Sequence, residues 1–149
     1  MIKQALSDLR VLDLSTNIAG AYCTRLLADY GADVIKIEDP CYGDPSRNMG
    51  PFPKDEPDRD ASGLFIHLNG NKRGITLDIE TTAGIKILKD LIRRADVMVE
   101  TFSPQYLPSL NLNFGEIRQI NPNLVMTSIT PFGQTGPYRN HKATDVGIF

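Results

Sequence analysis

The chain has no tryptophan, only two cysteines among its 149 residues, no long apolar run and no excess of charge of one sign. Cys23 and Cys41 stand in no CxxC or similar metal-ligand spacing, and so sparse a count builds no disulfide framework. A metal centre is therefore not expected, and a reduced cytoplasm is the natural setting. A transmembrane helix needs about 20 consecutive apolar residues, which this sequence does not contain. Sixteen basic against eighteen acidic side chains give a formal charge of -2, so no general attraction to nucleic acid or an anionic membrane is expected and any anionic ligand has to be held locally. Neither GxGxxG nor GxxxxGK occurs. The N-terminal residues lack the apolar core of a signal peptide. His67 and His141 form no metal spacing and no nucleophile–histidine arrangement, and His67, flanked by apolar residues, reads as a partly buried structural side chain.

What is present is patterned as alternating strands and helices. Hydrophobic residues at 41% and charged residues at 23% lie in the globular range, and the length suffices for one core. Residues 11–14 (VLDL) read as a strand, followed by a polar break at Ser15, Thr16 and Asn17 that opens a helix. Cys23, Leu26, Leu27 and Tyr30 recur at helical spacing, with Gly31 where a left-handed cap is wanted. Residues 34–38 (VIKIE) form the next strand. One βαβ unit is thus written at the start, and its crossover implies parallel strands.

Residues 40–63, punctuated by five prolines, read as an ordered excursion or a flexible loop, after which the apolar stretch 64–68 (LFIHL) returns the chain to packed structure. A turn at 69–71, a strand at 74–77, a helix from Thr81 or Thr82, a strand at 97–99, a weaker helix at 114–120 and a strand at 124–129 follow. The alternation predicts an α/β, doubly wound, Rossmann-like parallel sheet with helices on both faces. The last residues, 145–149, look like a further element beginning, so the chain reads as part of a longer protein.

In such sheets ligands bind beyond the carboxyl ends of the strands, which singles out the loops at 15–20, 38–43, 100–104 and 130–137. The first leads to a helix N-terminus able to receive a phosphate, or serves as an ordinary cap. Glu38 stands where a dinucleotide fold places the acid that grips a ribose, or is solvated or paired with a neighbouring cation. Without the glycine fingerprint a nicotinamide-dependent oxidoreductase rests on Glu38 and the βαβ unit alone. Lys72 and Arg73 after the turn read as a phosphate contact or, more simply, a solvated surface. Asp145 reads as a cap before it reads as a nucleophile or base.

Five blocks taken together say more: LRVLDLSTNIAG (9–20), ADYGADVIKIE (28–38), NGNKRGITLD (69–78), ADVMVETF (95–102) and FGQTGP (132–137). In this order and spacing they closely resemble the N-terminal part of the class III coenzyme A transferases, the CaiB/BaiF family, which includes formyl-CoA transferase, carnitine CoA-transferase and, as relatives, the α-methylacyl-CoA racemases. The resemblance implies a Rossmann-like large domain of which residues 1–149 are the N-terminal part. It also implies a homodimer and transfer of coenzyme A between an acyl-CoA and a carboxylic acid, through an aspartate nucleophile downstream of residue 149. By this resemblance coenzyme A meets Ile18, Ala19, Asp39, Leu77, Asp78, Ile79, Glu80, Thr101, Phe102, Ser103, Ser109, Lys142, Ala143, Thr144 and Asp145, while no catalytic or metal-binding residue lies in the chain. A standalone coenzyme-binding or vestigial module is the other reading of so short a sequence.

Asp39 and Ser109 stand where formyl-CoA transferase has arginines, and Thr101 where it has asparagine. An acid beside a phosphate repels it, so either Lys36, Lys72, Arg73 or Lys142 compensates or the coenzyme is held differently. Thr144 replaces the catalytic histidine of the racemases, which favours transfer over racemisation.

Overall fold

The computed structural model describes residues 4–143; Thr144 and Asp145, and the element expected at 145–149, lie outside them. The element order is β1 (Arg10–Leu14), α1 (Ala19–Asp29), β2 (Asp33–Glu38), α2 (Gly63–Asn69), β3 (Arg73–Thr76), α3 (Thr82–Ile92), β4 (Val97–Glu100), α4 (Tyr106–Ser109), α5 (Phe114–Ile120) and β5 (Val125–Ser128). The strands form one sheet in the order β3-β2-β1-β4-β5, with every pairing parallel. This is the order of a doubly wound nucleotide-binding sheet, and it reverses direction at β1 and β4.

The period of two along each strand distributes the core between two faces. Leu12, Leu14 and Met98 pack with Leu88 and Ile92 of α3 and Ile117 of α5 on one side. Val11, Val34 and Val99 pack with Ala28 and Ala32 on the other, beneath α1. Fully burying a side chain such as Leu88 or Ile92 is worth about 1.5–3 kcal/mol, so these residues tie α3 to the sheet. β1 is buried from Val11 to Leu14, whereas β3 is exposed along its length. Central and edge positions explain the contrast.

Local signals set the helix ends. α1 presents Gly20, Ala21, Thr24 and Ala28 to the sheet and stops in a Schellman motif, with Gly31 at φ 102° and Ala32 N–H donating to the Leu27 carbonyl at 3.0 Å. The Thr81 side chain caps α3, and Asn113 with Glu116 forms a capping box on α5.

The proline-rich excursion is ordered. It contains two short 3-10 turns, Pro45–Asn48 and Pro53–Asp55, and is pinned by buried polar side chains. The Asp44 carboxylate accepts from Ser46 N–H at 2.8 Å and pairs with Lys36 at 2.8 Å, while Ser62 Oγ donates to the Ser46 carbonyl at 2.8 Å. The stretch 64–68 becomes helix α2 with Leu68 buried, and His67 is exposed rather than partly buried. Its apolar flanks are divided by the helical period, so proximity in sequence does not place them around the imidazole. The third strand runs Arg73–Thr76, one residue ahead of the expected 74–77.

Candidate functional site

The carboxyl end of β1 is organised by a buried acid. Asp13 accepts from Ser15 N–H at 3.0 Å, Ser15 Oγ at 2.5 Å and Thr24 Oγ1 at 2.7 Å. Lys72 Nζ donates to Asp13 Oδ2, the Ala21 carbonyl and Asn69 Oδ1, each at 2.8 Å. Lys72 is therefore a buried structural cation and not the solvated surface residue its turn position suggests. Burial lowers the pKa of its ammonium and Asp13 opposes that change. Lys36 Nζ donates to the Ser15 carbonyl at 2.9 Å. These contacts fix the loop from Ser15 into α1, and Gly20 lets that helix approach closely, since a Cβ there would stand 2.2 Å from Ser15 Cβ and 2.8 Å from Thr101 Cγ2. Across the switch point Thr16 N–H donates to Thr101 Oγ1 at 2.8 Å.

Beyond these strand ends lies a cleft with about 520 Å³ of free space, lined by Leu14 to Thr16, Lys36 to Asp39, Gly43, Asp44, Leu77 to Glu80, Phe102 and Tyr106. Phe102 and Tyr106 hold their rings 4.5 Å apart. Tyr106 OH donates to Glu80 Oε1 at 3.1 Å, and burial followed by that carboxylate pushes the phenol up to about 12. Asp39 Oδ1 accepts from the Cys41 and Tyr42 amides at 2.8 and 2.7 Å, and Asp78 Oδ1 from Glu80 N–H at 2.9 Å. Among the described residues Asp39, Asp78 and Glu80 have no cation partner. An aromatic shelf rimmed by acceptors suits a flat ring carrying amino and hydroxyl donors.

A second cleft adjoins the first at Phe102. It lies between Thr101 to Gln105, after β4, and Thr130, Pro131 and Arg139 to Ala143, after β5, with about 850 Å³ of free space. Six of the residues expected to meet coenzyme A (Asp39, Leu77, Asp78, Ile79, Glu80 and Phe102) thus line the first cleft, and five (Thr101, Phe102, Ser103, Lys142 and Ala143) line the second. Ile18 and Ala19 are exposed at the N-terminus of α1, which has no side-chain cap, so the amides at these two positions lack an intrahelical partner. Ser109 is exposed and spends its hydroxyl on the Tyr106 carbonyl at 2.7 Å.

The structure also decides between the two roles of Glu38. Arg47 grips it with both ends of its fork, at 2.7 and 2.9 Å, and Asp44 N–H donates to it at 2.9 Å. Burial raises the Glu38 pKa, but the Arg47 and Asp44 contacts outweigh this and hold the carboxyl below its ordinary range. Its capacity is committed to the excursion, so Glu38 is not free to grip the ribose of a nicotinamide dinucleotide. Three of the four cations expected to compensate for Asp39 are engaged likewise: Lys36 with Asp44, Lys72 with Asp13 and Arg73 with Asp33.

Asp13, Lys72 and Tyr106 are roles that reading the sequence missed. None of the three announces itself locally, because Asp13 and Lys72 lie 59 positions apart and Phe102 stands in the loop before the helix that Tyr106 opens. Among the described residues no cluster of three His, Cys, Asp or Glu side chains can hold a metal ion, and no helix is long and apolar enough to cross a membrane. Both thiols are free, Cys23 half-buried and Cys41 exposed.

Fold and clefts together define an α/β domain with a cleft at the switch point of its parallel sheet. Comparison with known proteins narrows this, because the profile of CoA-transferase family III matches residues 6–148. The chain belongs to that family. It is 39% identical over 143 residues to the BbsE subunit of succinyl-CoA:(R)-benzylsuccinate CoA-transferase from Thauera aromatica, covering 96% of this chain and 34% of the relative. It is 42% identical over 138 residues to formyl-CoA:oxalate CoA-transferase of Escherichia coli O81 (strain ED1a), covering 93% and 32%. The crystal structure of a CaiB/BaiF family protein from Brucella suis superposes with a TM-score of 0.86 at 36% identity, over 97% of this chain and 38% of that one. The chain spans about a third of the length of the curated relatives it matches.

Proposed function

We propose that this chain is the coenzyme A-binding part of a class III CoA-transferase, acting on an acyl-CoA and a carboxylic acid. The observation that carries the reading is the family match from 6 to 148, coinciding with a cleft at the switch point that gathers Asp39, Leu77 to Glu80 and Phe102. Phe102 and Tyr106 offer a face for the adenine ring, Asp39, Asp78 and Glu80 accept from its amino group and from ribose hydroxyls, and the open amides at Ile18 and Ala19 serve a phosphate. These residues supply binding and orientation. The carboxylate that attacks the thioester belongs, by family resemblance, to sequence beyond residue 149. Homodimerisation and a cytoplasmic setting accompany the proposal, the first from the family and the second from the sparse, free thiols.

The substrate pair is not carried by this segment. Relatives named for succinyl-CoA with benzylsuccinate and for formyl-CoA with oxalate match it at 39% and 42% identity, so identity here does not separate the acids. A thermal-shift measurement tests the binding claim. Coenzyme A at a hundred times its dissociation constant stabilises a fold by about 2.7 kcal/mol, which for a domain of this size is roughly 5–10 °C. NAD produces no shift. A melting temperature unmoved by millimolar coenzyme A refutes the reading.

A further inference from the structure

The two clefts that meet at Phe102 carry opposite charge. In the first, Lys36 is neutralised by Asp44, leaving Asp39, Asp78 and Glu80 without cations among the described residues. In the second, the described lining holds Arg139 and Lys142 and no carboxylate. No ion pair engages either cation among the described residues. The hydroxyl of Thr130, which lines the same cleft, is buried with no hydrogen-bond partner there. His141 N–H donates to the Tyr138 carbonyl at 2.9 Å and the two rings lie 5.2 Å apart, which braces the loop on which Arg139 and Lys142 sit.

We propose that the second cleft is an anion site with Arg139 as its specificity-determining residue, so that the ligand lies with its adenosine end over Phe102 and Tyr106 and its diphosphate toward Arg139 and Lys142. This rests on the coenzyme reading for the identity of the ligand, though not for the existence of the anion site. A phosphate placed in the first cleft meets three uncompensated carboxylates. In the second it meets two free cations, one of them a planar fork suited to phosphate oxygens, and a hydroxyl that lacks an acceptor. The charge that the family resemblance assigns to position 39, where this chain carries aspartate, is thereby supplied from the loop after β5.

Calorimetric titration of the 149-residue chain at fixed ionic strength, with inorganic pyrophosphate and with coenzyme A, tests the assignment. Arg139 is exposed, so Arg139→Ala leaves the fold intact, which its melting curve verifies. Lys86→Ala, on the exposed side of α3, controls for lost charge in general. Arg139→Ala weakens both ligands at least about tenfold, equivalent to ~1.4 kcal/mol; Lys86→Ala leaves both within twofold, and Arg139→Lys recovers part of the loss. Equal losses in the two alanine variants, unchanged pyrophosphate binding in Arg139→Ala, or no pyrophosphate binding by the parent chain overturns the anion site. A parent chain that binds pyrophosphate through Arg139 but not coenzyme A keeps the anion site and removes the coenzyme reading. Coenzyme A binding indifferent to Arg139 does the reverse.

Discussion

Replacing Lys72 by methionine should be among the most damaging single changes to this fold. The Lys72 side chain is 1% exposed and its ammonium satisfies the fully buried Asp13 carboxylate at 2.8 Å, while its other protons go to the Ala21 carbonyl and Asn69. Methionine fills a similar volume, so the loss is chiefly electrostatic. It leaves a buried carboxylate supported only by Ser15 and Thr24. Removing one partner of a buried pair costs about 3–5 kcal/mol, and at roughly 2–4 °C per kcal/mol for a domain of this size the melting temperature falls by roughly 6–20 °C. Urea unfolding followed by circular dichroism gives the free energy from the midpoint and slope. Adding Asp13→Asn removes the stranded charge and keeps an acceptor for Ser15, so the double variant should recover at least half of the loss. A single variant within about 1 kcal/mol of the parent, or a double variant showing the sum of the two single losses, refutes the claim that the pair acts as a unit.

Gly84→Ala places a Cβ 1.7 Å from the Asp78 carbonyl; backbone must move, and a loss of about 1–3 kcal/mol is expected in denaturant melts, with weaker coenzyme A binding because the 77–80 loop shifts. Asn113→Ala removes the capping box of α5 and costs about 1 kcal/mol by the same melts, without touching either cleft. Glu100 is a buried carboxyl raised above its ordinary pKa by burial, against hydrogen bonds from Ser128 and Phe102 N–H. Its charged form is disfavoured in the folded state, so the stability it contributes is full below the unfolded pKa and lost as pH rises through the folded one. Glu100→Gln, which does not ionise, should therefore gain stability relative to the parent between pH 4 and 7, and a difference that stays flat over that range contradicts this account.

Most of the fold was legible because its signals are local. The five strands, the Gly31 stop and the starts of α1 and α3 each depend on spacing within a few residues, and the boundaries moved by about one. Lys72 shows where such reading ends. Its partner Asp13 lies 59 positions away, and only the parallel pairing of β1, β2 and β3 brings the turn before β3 under α1. Glu38 was open between two roles because nothing near it in sequence announces that Arg47 will fold back with both nitrogens. The position of the clefts at strand ends was legible, yet their division into an acidic and a basic one was not, because the basic cleft is made by two loops that meet only after β4 and β5 pair.

The bond from Thr16 N–H to Thr101 Oγ1 joins residues 85 positions apart, and the Arg10 amide likewise donates to the Asp96 carboxylate 86 positions away. Because every strand pair among the described residues is parallel, no hairpin joins these strands, and closing loops of this size makes folding slow. β1 pairs with β2 on one edge and with β4 on the other, and because β4 lies far downstream of both, that second edge stays unsatisfied until β4 has been made. The first cleft is completed only then, by Phe102 and Tyr106 after β4, and the second only once β5 has paired with β4, so a chain that ends before β4 has an open apolar strand edge and neither cleft. Any ligand of the clefts therefore stabilises only the finished fold and cannot speed its formation.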